Sequence, residues 1–243
     1  MKTLPLFALA SSLALIACGD DGGSQMMGMP DAPSNIPAMI TISGIASEIT
    51  ATGRTPQAGV LVALYKGSDD SMQGMATTDA AGAFSIMVAT NGAPVDGYLK
   101  ATFAGLKDTF LYPPFALSAD YSGVTTLMLK QSTQNLANQL AGAAAPDPAK
   151  GWIALLVVDG PTTGATPVMG ATITASPTGE IKYNGSAGVP QAQAMSTAMD
   201  GIAYAMNVPA GMVTVSGSKT GLTLKSHAVK ARADKVTLSL ITP

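Results

Sequence analysis

The sequence predicts an all-β protein of two tandem β-sandwiches, each of about seven strands, joined by a short helix and a Pro-rich linker. Three observations carry this expectation. Apolar residues alternate with period two in Val60, Val62 and Leu64, in Ala171, Ile173 and Ala175, in Val213 and Val215, and in Val236, Leu238 and Leu240. Antiparallel strands with one buried face give that pattern. Turn formers are frequent, with 26 Gly and 16 Pro, and Asn91-Gly92 and Asn184-Gly185 read as hairpin-turn dipeptides. The chain also repeats itself: Thr55-Pro56-Gln57-Ala58-Gly59-Val60 returns as Thr166-Pro167-Val168-Met169-Gly170-Ala171, 111 positions later.

The elements follow in order. Residues 1–17 carry one early cation, Lys2, and an apolar run from Leu4 to Ala17. That run is shorter than the roughly 20 residues a spanning helix needs and fits an export signal. Residues 18–37 are rich in Gly, Pro, Ser, Asn and Asp without hydrophobic period, and read as a flexible tether. At about 5–6 Å × √n its rms reach is roughly 25 Å. The first sandwich is assigned to residues 38–130 and the second to 151–243. Each copy of the T-P-x-x-G motif follows an apolar strand, Ile40 to Ile45 or Trp152 to Val158. Each precedes an Asp- and Gly-containing turn before an inward aromatic, which pairs Thr78-Asp79-Ala80-Ala81-Gly82-Ala83-Phe84 with Ala198-Met199-Asp200-Gly201-Ile202-Ala203-Tyr204. Gly59 and Gly170 are expected at positive φ or close approach, Gly82 in a left-handed turn position, and Asp79 as the cap of that turn. Between the sandwiches, residues 131–150 place Leu136, Ala137, Leu140 and Ala141 at helical spacing. Ser132 or Thr133 are candidate N-caps, and Gly142 with Pro146-Asp147-Pro148 stops the helix. Trp152 stands beside this linker, placed to seal the joint.

Composition excludes several function classes. Net charge is −2 with 12% charged residues, against the basic footprint of a nucleic-acid binder. One His and one Cys rule out an internal disulfide, a Cys/His zinc site and a Cys–His nucleophile. No G-x-S-x-G elbow occurs. No catalytic residue, cofactor site or metal site is expected. His227 reads as a half-exposed strand residue, and Asp69-Asp70 as a solvated loop tip without the D-x-D-x-D-G calcium pattern. Met26, Met27 and Met29 offer soft thioethers suited to Cu(I), and read first as adaptable linker side chains. The aromatics around Phe110, Tyr112 and Phe115 are either a packed strand–loop over the sandwich edge or a binding patch for glycan or protein.

Two resemblances add to this. Leu15-Ile16-Ala17-Cys18 resembles the lipobox of bacterial lipoproteins, which implies acylation of Cys18 as the first mature residue and membrane attachment through lipid. Gly19 follows where an Asp would favour retention at the inner membrane, so the resemblance implies the outer membrane. The repeat is similar to the carboxypeptidase-regulatory-like domain, a transthyretin-like (prealbumin-like) sandwich. Pro56, Gly59, Val62, Thr78, Asp79, Gly82 and Phe84 carry the likeness in copy one. Pro167, Gly170, Ile173, Asp200, Gly201 and Tyr204 carry it in copy two, which adds an excursion from Pro177 to Met195. In that family the domain is an accessory unit that packs on, spaces or presents other domains, and it brings no catalytic residue. The single His also excludes the iron site of intradiol dioxygenases and the zinc site of carboxypeptidases. The expectation is therefore a non-catalytic, lipid-anchored envelope protein with a structural, adhesion or interaction role and a protein or glycan partner. The alternative is a carbohydrate-binding module for envelope or extracellular polysaccharide.

Overall fold

A computed structural model describes residues 36–50, 53–160 and 164–243. The signal segment, Cys18 and the Met26–Met29 cluster lie outside the described residues. Among those described, the chain is all-β with one short helix. The first half contributes β1 (Met39–Thr50), β2 (Gly53–Pro56), β3 (Leu61–Lys66), β4 (Met72–Thr77), β5 (Ala83–Ala89), β6 (Gly97–Thr102), β7 (Thr109–Tyr112) and β8 (Tyr121–Leu129). Helix α1 (Gln131–Leu140) follows. The second half contributes β9 (Lys150–Val157), β10 (Thr172–Ser176), β11 (Glu180–Asn184), β12 (Pro190–Gln191), β13 (Ile202–Pro209), β14 (Gly211–Ser218), β15 (His227–Ala231) and β16 (Val236–Ile241). Each half thus has eight strands, one more than expected, because the short β2 and β12 leave little trace in the sequence.

The halves share one plan. β1 pairs antiparallel with β5 and parallel with β8, just as β9 pairs with β13 and β16. β6 lies between β3 and β7, just as β14 lies between β10 and β15. The turns repeat the same hydrogen bonds around one threonine. Thr78 Oγ1 donates to Gln57 O at 2.7 Å and accepts from Val60 N at 2.9 Å. Thr197 Oγ1 donates to Val168 O at 2.6 Å and accepts from Ala171 N at 2.9 Å. Gly59 and Gly170 sit at φ +76° and +75°, donating to the carbonyls of Thr78 and Thr197 respectively. The structure shifts the second motif by one residue. Gly82 O and Gly201 O accept from Ala46 N and Val157 N, which makes Thr197 the counterpart of Thr78 and Ala203 that of Phe84. Phe84 and Ala203 are both buried in their cores, whereas Tyr204 points to the opposite face of its sheet. Asp79 caps its turn as expected, Oδ1 accepting from Ala81 N and Ala83 N at 2.9 Å.

Two further expectations change. Asn91-Gly92 does turn, at φ +52° and +77°, but it connects β5 in one sheet to β6 in the other, so it closes no hairpin. Helix α1 takes Lys130 as its N-cap, with no side-chain cap, in place of Ser132 or Thr133. The chain leaves β8 at Leu129, and Lys130 pairs with Glu48 of β1 at 3.0 Å. The C-terminus is a Schellman turn on Gly142 (φ +60°), with Ala143 N donating to Asn138 O and Gly142 N to Gln139 O.

The halves do not stand as two units divided at the linker; residues 35–243 form one compact unit. A nine-stranded sheet runs through both, in the order β12-β11-β13-β9-β16-β7-β6-β3-β4. The seam is the parallel pair β16–β7, with Val236 opposite Thr109 and Leu238 opposite Leu111. The sheet serves a different core on each face. Val62, Leu64, Leu99 and Leu111 pack into the first core beneath β1, β5 and β8. Ile153, Leu155, Val157 and Ile241 pack on the other face against β10, β14 and β15. A third cluster of Leu129, Ala141, Trp152, Met206 and Val236 fills the joint, where Trp152 is buried.

Gly82 and Gly201 are held more tightly than Gly59, and by backbone, whereas Gly170 meets only the flexible end of Lys219. A Cβ on Gly82 would lie 2.7 Å from Ala46 O, and one on Gly201 2.6 Å from Val157 O, in addition to positive φ. A Cβ on Gly59 meets nothing nearer than Phe103 at 3.7 Å. Gly59→Ala should therefore cost about 1 kcal/mol from backbone conformation alone, and Gly82→Ala or Gly201→Ala about 3 kcal/mol or more. Urea melts of the three variants check the order.

Candidate functional site

The aromatic residues singled out in the sequence are divided by the fold. Along β7, Leu111 faces the first core while Phe110 and Tyr112 face the other side of the central sheet. There Tyr98 stacks on Tyr65 and Tyr112, with centroids 5.6 and 5.1 Å apart. Phe110 is buried at 6% exposure because Arg232 from the second half covers it, with the guanidinium carbon 3.9 Å from the ring centroid. The same guanidinium lies 4.6 Å from the Tyr98 ring and donates to Tyr112 Oη at 2.8 Å. Phe115 is exposed and set apart, edge-on to Tyr121 at 6.3 Å. The three residues therefore form no common patch.

What holds Arg232 there is a clasp. In the stretch Lys230-Ala231-Arg232-Ala233-Asp234-Lys235, every charged side chain reaches the first half. Lys230 pairs with Asp70 at 3.3 Å, Asp234 pairs with the buried Lys107, and Lys235 pairs with Asp108 at 3.5 Å. Asp70, expected at a solvated loop tip, also accepts from Tyr98 Oη at 2.7 Å. That bond, then the Lys230 ammonium, lowers the Asp70 pKa; burial and Asp70 together raise that of Tyr98. No local motif marks Arg232 in the sequence, since 120 residues separate it from Tyr112.

His227 lies at the start of β15, half-buried, and its Nε2 has no hydrogen-bond partner among the described residues. No group of three or more His, Cys, Asp or Glu converges to hold a metal among the described residues. None of the described helices is long and apolar enough to cross a membrane.

An apolar groove of about 780 Å³ lies between the halves. Its floor is the face of β9, β13 and β16 turned away from the second core, including Ala154, Leu156, Leu238 and Leu240. The edge of β8 forms one wall and α1 another. Polar Gln134 and Asn138 are the buried residues of α1, while Leu136 and Leu140 line the groove at 41% and 43% exposure. The periodicity of the helix predicted an apolar face; which way that face looks is decided by the Schellman turn and by Asn138, whose Nδ2 donates to Ala144 O at 2.7 Å.

No family model matches this chain, and no curated protein matches it. Among solved structures it is similar to the Bacillus anthracis TIE protein, at 13% identity and TM-score 0.26, covering 84% of this chain and 34% of that one. Shaft pilin SpaA from Lactobacillus rhamnosus GG matches at 13% identity and TM-score 0.26, covering 84% of this chain and 98% of the pilin. GBS52, the minor pilin of Streptococcus agalactiae, matches at 16% and TM-score 0.27, covering 84% and 95%. This chain spans about a third of the length of the TIE protein. These are likenesses between β-rich chains and assign no role.

Two measurements test the site's energetics. Arg232→Met keeps the apolar stem but removes the cation from three rings, and should lower stability by about 2 kcal/mol in a urea melt. Lys235→Ala removes a half-exposed pair and leaves Asp108 its partner Lys100, so it should change stability by less than about 1 kcal/mol. For His227, burial lowers the pKa below the ordinary histidine value, with Asp96 partly opposing. The unfolded chain then binds the proton more readily than the folded one. The stability contribution is complete above about pH 6.5 and declines as pH falls below it. Melting temperature should drop between pH 7.5 and pH 5, and the drop should shrink in His227→Gln.

Proposed function

We propose that this chain is a non-catalytic, lipid-anchored protein of the cell envelope, with a structural or adhesion-type role. The observation that carries the reading is the seam. Two sandwiches of the accessory kind are joined through one continuous sheet and clasped by residues 230–235, which suits a spacer that transmits load. Anchoring is read from Leu15-Ile16-Ala17-Cys18, and the outer membrane from Gly19 after the cysteine. Several acyl chains hold a protein firmly, since each buried CH₂ contributes about 0.8 kcal/mol and one chain alone binds only marginally. A net charge of −2 gives no attraction to an anionic surface, so lipid must supply the attachment. The carbohydrate-binding alternative loses ground because Arg232 covers Phe110 and bonds Tyr112.

Detergent phase partitioning of wild type and Cys18→Ala tests the anchor. The wild type should enter the detergent phase and the variant should stay aqueous or unprocessed. Equal partitioning rejects lipidation. Cross-linking on intact cells then identifies the neighbour that the spacer serves.

A further inference from the structure

We propose that the groove between the halves binds a single-chain amphiphile with an anionic head, a free fatty acid being the simplest case. The chain lies between α1 and the central sheet, with its carboxylate at Arg54. This inference is independent of the anchoring at Cys18.

Four observations point to that ligand. The lining is largely apolar: Leu136 and Leu140 of α1 are exposed, and Leu156 and Leu240 of the sheet line the same groove. An exposed apolar helix face opposite an apolar sheet face is the arrangement of a ligand groove, and about 780 Å³ lies within the usual range of about 300–1,000 Å³ for small-molecule sites. Second, the groove is lined by two charged residues, Asp200 and Arg54, and Arg54 is the cation. Asp200 accepts from Ile202 N at 3.1 Å and Asn184 Nδ2 at 2.7 Å. Arg54 is exposed and forms no ion pair among the described residues. A guanidinium favours a carboxylate, which it can meet with two parallel bonds.

Third, polar groups gather at one end of the groove: Tyr204 Oη donates to Asn184 Oδ1 at 3.0 Å, and the Tyr204 ring stacks on Trp152 at 5.1 Å. Trp152 lines the groove, and its buried Nε1 has no acceptor among the described residues. Fourth, the groove suits a hydrocarbon chain better than an extended peptide. A peptide would need the free ladder groups of β8, yet Leu129 O already accepts from Lys107 N and Leu127 O from Thr109 Oγ1. The other end of β8 is broken by a register shift beside Gly123, at φ +74°. Bulges of this kind block edge pairing.

The chain contains a single tryptophan, Trp152, so its emission reports on the groove directly. The test uses the full chain carrying Cys18→Ala, so that no covalent lipid competes. Dodecanoate, tetradecanoate and hexadecanoate are titrated below their micellar concentrations, beside the methyl ester of tetradecanoic acid. The expected result is a saturable change in Trp152 emission, with affinity rising about fourfold per added CH₂, equivalent to ~0.8 kcal/mol. The acid should bind at least fivefold more tightly than its ester, and Arg54→Gln should abolish that difference without weakening the ester. Leu140→Gln should weaken both at least tenfold with an unchanged melting temperature, since Leu140 is exposed. Four outcomes would overturn the proposal: no saturable change, affinity independent of chain length, equal loss for acid and ester in Arg54→Gln, or binding of a nine-residue apolar peptide without binding of the acids.

Discussion

A strand at the rim of a sheet carries a row of backbone N–H and C=O groups that seek partners, and two such rims meet in this chain. β7 closes one sheet of the first half and β16 closes one sheet of the second. Pairing them in parallel satisfies both rims at once and turns two sheets into one. Much else follows from that seam. Leu238 and Leu111 sit on one face because the register puts them opposite each other, and both then belong to the first core. Trp152 is buried because β9, next to β16, turns it toward the end of β8 and the end of α1. The groove exists because the sheet continues beyond β7, past the point where the first sandwich ends.

Within each half, the turns rather than the strands are the conserved geometry of the repeat. The threonine at 78 or 197 joins the strand that begins after Gly59 or Gly170 to the turn that precedes β5 or β13. The small residue at 82 or 201 is required because a backbone carbonyl occupies the space of a side chain. Strand residues are free to vary as long as their faces alternate. That is why Phe84 can be matched by Ala203 at the same buried position.

The clasp from Lys230 to Lys235 adds specificity where strand pairing adds continuity. Exposed ion pairs such as Lys230–Asp70 contribute little individually. The half-buried guanidinium over Phe110 and Tyr98 contributes more, and it ties the second half to the first. The same contacts consume the aromatic rings and the Asp70 carboxylate that would otherwise offer a binding surface.

Local physics made much of this protein legible from its residues alone. Period-two alternation and turn chemistry determined the all-β class, the repeat, the positive-φ glycines and the helix with its stop at Gly142, because each depends on neighbours within a few positions. Phe110, Tyr112 and Phe115 were legible as a cluster in sequence but not in space, since adjacent residues of a strand face opposite ways and Phe115 lies beyond its end. The β7–β16 seam, the reach of Arg232 and the groove joining Arg54 to Leu140 depend on residues about 90 to 130 positions apart, and no pattern within a strand or helix encodes them. Whether two sandwiches stay separate or share a sheet depends on which edges meet. Backbone groups bond alike whatever their side chains, so that choice was decided only by how the whole chain packs.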